Sequence, residues 1–354
     1  MANFKDTTIN DTGFFQVPVG NTNERASSPE LGMLRWNTDL GGLENYTGIE
    51  WKPVVSIPIT AEGGTVTEII DNGVEYRVHT FTSSGTFSVS NVGTLGGQVE
   101  YLIVAGGGGG GYQVGGGGGA GGYRCSVQGE LSGRNSPAES PVSVTTTNYS
   151  IVVGEGGAGA PNNSTASSKG GDSSAFGIVS IGGGGGANYS PSGSDSQPQD
   201  GGSGGGEGYY LNGAGSGTAG QGFDGGQGRQ NWAGGGGGGA GEKGQDSPFA
   251  DQGGKGGDGI ESNITGTLTY RAAGGGGSMD QQTDSTSFSE GGLGGGGRGY
   301  GDNALFVDGI TTGGDGQPNT GSGGGGVRDE YNGSTDYDRA GNGGSGIVII
   351  RYPI

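Results

Sequence analysis

The sequence predicts a mostly β protein in three parts: an N-terminal β-meander, a β-sandwich, and a bundle of polyglycine II helices inserted between the sandwich strands. Three observations predict it. The chain carries 95 glycines in 354 residues, close to four times the ordinary share of about 7%, and its 12 prolines are too few for collagen. Short apolar stretches recur at wide intervals with the alternation or continuity of strands. Hydrophobic residues make up only 28% of the chain, and leucine-rich helical periodicity is nearly absent, which argues against a helical core.

Residues 1–60 have ordinary composition. Met33 to Asn37, the turn-rich Thr38 to Gly42 and Leu43 to Tyr46 read as a hairpin, and Thr47-Gly48 turns the chain into a third strand, Ile49 to Val54. A β-patterned zone from Thr65 to Ala105 follows, with strands at Val74 to His79, Thr86 to Val89 and Val99 to Ala105. Four more apolar stretches are scattered among the glycines: Tyr149 to Val153, Gly177 to Ile181, Ile264 to Tyr270 and Gly346 to Tyr352. Strands separated by long insertions in this way fit a sandwich, so residues 61–354 form one glycine-rich unit.

The insertions are the glycine tracts, running from Gly106–Gly111 and Gly115–Gly122 through to Gly341–Gly346, and each tract reads as one rod. A solvated flexible linker is the rival reading. A lone glycine coil gains nothing that offsets its ordering entropy. A polyproline II-type helix has about three residues per turn and a rise of 3.1 Å, and its N–H and C=O groups all point outward, free to pair with neighbours. Glycine lets such helices approach on every side. A linker does not account for many tracts interleaved with varied segments and closed by the very apolar Ile347 to Ile350.

The segments between tracts are rich in Ser, Asn, Asp, Gln and Tyr. Aromatics there offer rigid contact area and short polar residues offer adaptable hydrogen bonds, the composition of binding loops. The candidate binding residues are Tyr189, Tyr209, Tyr210, Trp232, Phe249, Phe288, Tyr300, Tyr331 and Tyr337. Taken singly, each aromatic is better explained by capping or flanking the bundle; taken together, the loops read as a recognition surface.

Charge and motif narrow the function further. A formal charge of −19 and scattered cations argue against nucleic acid. No window approaches the ~20 apolar residues of a membrane helix, and the opening MANFKDTT carries no apolar leader, so neither membrane insertion nor a signal peptide is expected. Cys125 stands alone, which precludes an intrachain disulfide. With His79 the single histidine, neither a Ser-His-Asp nor a Cys-His site can be assembled, and His79 reads as structural. The G-x-G-x-x-G match at Gly106 lacks the following helix that would hold a pyrophosphate. Residues 253–261 fit a calcium-binding nonapeptide, but such motifs work as stacked copies, so Asp258 reads as a turn residue. No enzyme, cofactor or metal is expected.

Three stretches carry a resemblance. GMLRWNT (residues 32–38) with LENYTG (43–48) and EWK (50–52) resembles a hairpin motif of tail-fibre and minor structural proteins of marine and cyanobacterial phages. YRVHTFTSSGTF (76–87), VEYLIVAGGGGGG (99–111) and GGSGIVIIRYP (343–353) resemble the glycine-rich domain of many phage and bacterial surface proteins. The tract region is similar in kind to the distal adhesin of T-even-type long tail fibres and to the glycine-rich domain of anaplastic lymphoma kinase-type receptors. The resemblance implies a polyglycine II lattice beside a jelly-roll-like sandwich, in a tail fibre or adhesin on the virion. Its loops would contact a host receptor, either a polysaccharide or an outer-membrane protein. It further implies that residues 1–60 attach or oligomerise the chain, with other tail-fibre proteins as partners and a homotrimer as the assembly. The alternatives are a capsid or neck decoration that binds no receptor, and a surface-polysaccharide depolymerase.

Overall fold

The computed structural model describes residues 16–54, 56–162, 164–189, 197–209, 213–229, 232–249, 252–279, 288–301, 312–328 and 339–354. Strands β1 (Leu34–Asn37), β2 (Gly42–Tyr46) and β3 (Trp51–Pro53) form the expected antiparallel meander, and Val19–Gly20 adds a short parallel edge to β1. Ile49 lies ahead of β3 and is exposed. The burial of this sheet is inverted: Arg35, Asn37 and Glu44 are buried, whereas Leu34 and Trp36 on the other face are exposed. Glu44 accepts from Arg25, Arg35 and Asn37 at 2.6–3.2 Å. Burial alone would push its carboxyl up, but the hydrogen bonds from Arg25 and Asn37 and the two guanidinium charges outweigh that and hold it below the usual range. Its charge is therefore retained in the interior.

The sandwich comprises β4 (Thr60–Glu62), β5 (Thr65–Asp71), β6 (Val74–Phe81), β7 (Gly85–Asn91), β8 (Gln98–Val104), β9 (Tyr123–Cys125), β10 (Asn148–Ile151) and β11 (Ile347–Pro353). The larger sheet runs β9-β8-β11-β6-β5, with Val142–Ser143 also pairing with β8, and the smaller runs β10-β7-β4. Phe87, Val89 and Ile151 of the smaller sheet meet Tyr101, Ile103, Val348, Ile350 and Tyr352 of the larger one. Ile59 is buried in the same core, just ahead of residue 61. The opposite face of the larger sheet, Val78, Leu102, Val104, Ile347 and Ile349, packs on Ala120, Ala240, Ile260, Ile264 and Ala272 from the glycine region. Burial on both faces explains why β8 and β11 are nearly continuous apolar runs.

The glycine tracts form a lattice of extended rods. In rod 106–111, Gly106 and Gly109 donate to Gly171 and Ser168, Gly107 and Gly110 to Gly344 and Gly341, and Gly108 and Gly111 to Gly119 and Gly116. The same rod accepts from Gly183 and Gly186, from Gly157 and Ala160, and from Gly324 and Val327. Three donated directions and three accepted ones give six neighbours at a three-residue period, the pairing expected of packed polyproline II-type helices. Rod 115–122 is enclosed in the same way. A Cβ built on Gly237 or Gly236 would lie inside contact distance of the Gly118 or Lys255 carbonyl. The alanines Ala120, Ala240 and Ala272 sit where a rod faces the sheet, so their methyls enter the apolar seam.

The sequence reading needs three corrections. Ile264 to Tyr270 is not a strand. Ile260–Ser262 pairs with Thr269–Arg271, and the residues between them turn at Gly266, whose φ is +77°, a value glycine tolerates. Not every tract is a single rod. The tract 213–228 descends, turns at Thr218–Gln221 and ascends again, because Gly215 pairs with Gly205 and Gly226 with Gly236 across separate neighbours. The third is β5, which, like β4 and β9, is a strand the sequence reading missed. It is hairpinned to β6 through Asn72-Gly73 at φ +49° and +80°, an Asn-Gly signal for a tight turn.

Candidate functional surface

Rod 106–111 leaves the sandwich directly from β8, turns at Tyr112–Val114, and returns as rod 115–122 into β9. The remaining rods alternate in the same way, so the lattice has a near end at the sandwich and a far end opposite it. The near end holds compact hairpins and turns: Ser173–Ala175 with Ile178–Ser180, Thr218–Gln221, Ile260–Arg271 and 317–321. At the far end lie Tyr112, Asn162, Tyr189, Tyr209, Trp232, Phe249, Phe288, Tyr300 and Arg328, the described flanks of the long connections.

Contacts tie these flanks together. Asn188 accepts from the Tyr112 N–H at 3.1 Å and donates to the Thr165 carbonyl at 2.7 Å. Tyr189 and Tyr209 meet edge to face, centroids 4.6 Å apart. Phe288 and Tyr300 pair at 6.4 Å, and the Arg298 guanidinium sits 4.1 Å from the Phe288 centroid, within cation–π range. Arg328 donates to the Trp232 carbonyl at 2.7 Å. Beneath them Tyr112, Ala160, Val327 and Ala340 form a small apolar cluster joined by Tyr300. Trp232 and Phe249 are 45% and 62% exposed.

Six of the nine aromatics singled out from sequence thus lie on one face: Tyr189, Tyr209, Trp232, Phe249, Phe288 and Tyr300. Tyr210, Tyr331 and Tyr337 lie outside the described residues. Sequence reasoning missed the arginines beside them. Arg298 ends a rod against Phe288, and Arg339 pairs with Asp315 at 2.7 Å. The available signal was an arginine at the junction of a tract and a loop.

Carboxylates do a second job that sequence reasoning missed. At the lattice perimeter, where a rod lacks a neighbour, Asp172 accepts from Gly182 N–H, Asp200 from Ser216, Asp224 from Gly217, Asp246 from Gln227, Asp258 from Leu293 and Asp315 from Asn342, all at 2.6–2.8 Å. Each replaces the carbonyl of an absent rod. Asp258 also holds Lys255 at 2.8 Å. Asp315 is pushed up by burial, but the Arg339 and Asn342 hydrogen bonds prevail and hold it below the ordinary range.

The groups that could suggest catalysis lie elsewhere. The His79 ring contacts the Gly63 carbonyl at 2.8 Å and the Tyr352 hydroxyl at 3.0 Å inside the sandwich, where burial lowers its pKa. Cys125 is buried, and burial raises its thiol pKa. Among the described residues no three His, Cys, Asp or Glu side chains group to hold a metal. What the far face offers is aromatic contact area, backbone polar groups and arginines on a scaffold whose rods fix one another. Over residues 82–353 the chain matches the family described as a glycine-rich domain. No curated protein matches it.

Proposed function

The chain belongs to the glycine-rich domain family, and from that premise we propose that it is a bacteriophage tail-fibre or adhesin protein that binds the host surface without catalysis. One observation carries the reading: the described residues that flank the connections at 189–197, 209–213, 229–232, 249–252, 279–288, 301–312 and 328–339, several of them aromatic, lie at the end of the lattice away from the sandwich. In this reading the meander of residues 1–60 joins the chain to other fibre proteins or to its own copies in a homotrimer, and the far face meets a polysaccharide or an outer-membrane protein. Exposed Trp232 and Phe249 are the anchors, because large aromatics concentrate binding energy when they become buried.

The test is competition for adsorption. Purified protein added to susceptible cells is expected to block phage adsorption and to release no sugar. The Trp232→Ala, Phe249→Ala double variant should keep its melting temperature and lose the block at least about tenfold. Sugar release would replace this reading with a depolymerase. Failure of the wild-type protein to bind cells would replace it with a particle decoration.

A further inference from the structure

At the near end, on the opposite side of the lattice from the proposed receptor face, three segments distant in sequence line an open cavity of about 550 Å³. The turn Gly129–Leu131, the rod end at Gly241-Glu242 and the hairpin Ile260–Arg271 supply its walls. Asn135 donates to the Gly241 carbonyl at 3.0 Å and fixes the first wall to the second. Leu131, Leu268 and Tyr270, 45%, 66% and 42% exposed, converge on this cavity, and no other part of the described fold covers them. The charged lining is of one sign: Glu130, Glu242, Asp258 and Glu261.

The carboxylates divide by occupation. Glu130 accepts from the Asn263 N–H at 2.7 Å, and Asp258 is taken by Lys255 and the Leu293 N–H. Glu242 has no side-chain partner among the described residues, and Glu261 meets only the Tyr270 hydroxyl, whose pKa is pushed up by the Glu261 charge and the hydrogen bond to it. Two carboxylates without cations thus flank an aromatic ring and two leucines. A bare metal ion does not suit the site, because no three carboxylates group to chelate one. A cation with a hydrocarbon body suits both kinds of wall: the charge meets Glu242 and Glu261 and the face of Tyr270, and the stem covers the leucines.

We propose that this cavity binds an organic ammonium group carried on a hydrocarbon stem, supplied by a free amine or by a lysine side chain of another protein. The site is independent of the receptor reading, since it lies at the other end of the lattice. The experiment titrates the full chain with hexylammonium chloride, with hexanol as the neutral counterpart, and with Nα-acetyl-lysine amide, followed by calorimetry. Hexylammonium should bind at least about tenfold more tightly than hexanol and weaken with salt. The tighter of the two cations identifies the source. The Glu242→Gln, Glu261→Gln double variant should lose that preference at an unchanged melting temperature, and Leu268→Ser should weaken both hexyl compounds alike. Equal binding of hexanol and hexylammonium, no binding of either cation at millimolar concentration, or a preference that survives the double variant would overturn the proposal.

Discussion

Strand β11 and the rod 340–346 that feeds it are one continuous piece of chain built on opposite principles. In β11 every residue from Ile347 to Tyr352 is buried, and the strand is held by side chains on both faces, with β6 and β8 alongside. In the rod, the backbone itself is the packing surface. Burying an apolar side chain contributes about 1.5–3 kcal/mol, whereas a backbone hydrogen bond contributes about 0.5–1.5 kcal/mol net against an ordering cost of about 1–2 kcal/mol per residue. A strand residue can therefore justify its own order, and a glycine in a rod cannot. The lattice exists because many rods supply partners at once, which makes it cooperative and intolerant of local error. The sandwich seam provides the fixed edge on which it assembles.

That contrast can be broken at its strongest point by adding atoms where the lattice has none. Gly237→Val places branched carbons against the Gly118 carbonyl, and backbone on every side leaves nothing flexible to yield. The expected loss exceeds about 5 kcal/mol, the range that unfolds a domain. Thermal melting checks it, and a Gly237→Val protein that melts with the wild type would remove the packed-rod account. Removing atoms from the sheet should cost less. Ile349→Ala deletes a fully buried side chain at the seam and should cost about 2–5 kcal/mol, read from denaturant midpoints at unchanged slope. The smallest effect sharpens what glycine is for. Gly73 has φ +80° and open space around a built Cβ, so Gly73→Ala meets only conformational strain, about 1 kcal/mol. If Gly73→Ala proves as damaging as Gly237→Val, crowding is not what selects glycine in the rods.

How much of this was legible follows from which residues carry side-chain information. The meander, β8 and β11 could be read because Trp36, Leu43, Leu102 and Ile349 alternate or run together. The strand β5 escaped because Val66 and Ile70 are exposed and its apolar pattern marks no buried face; the Asn72-Gly73 turn was the usable clue. Ile264 misled because it is buried from a turn rather than from a strand. Inside the tracts the sequence carries almost no pattern, so nothing marked the reversal at Thr218–Gln221 or told near end from far. That distinction depends on counting every rod reversal correctly, and it is what gathers Tyr189, Tyr209, Trp232 and Tyr300 onto one surface. The partners of Asp172 or Asp315 could not be foreseen either, since the N–H each one satisfies lies 10 or 27 residues along the chain with no sequence pattern linking the two.

Those perimeter aspartates bear on a problem familiar from crystal growth. A glycine lattice has no natural size, and any uncapped face is a template on which a further rod, from the same chain or another copy, could deposit. A carboxylate seated on such a face works as an impurity does on a growing facet. It occupies the site the next rod would need, and it carries a charge that repels the like-decorated face of a second molecule. An acidic chain of this composition can thus be crystalline inside and remain a discrete particle among many identical neighbours.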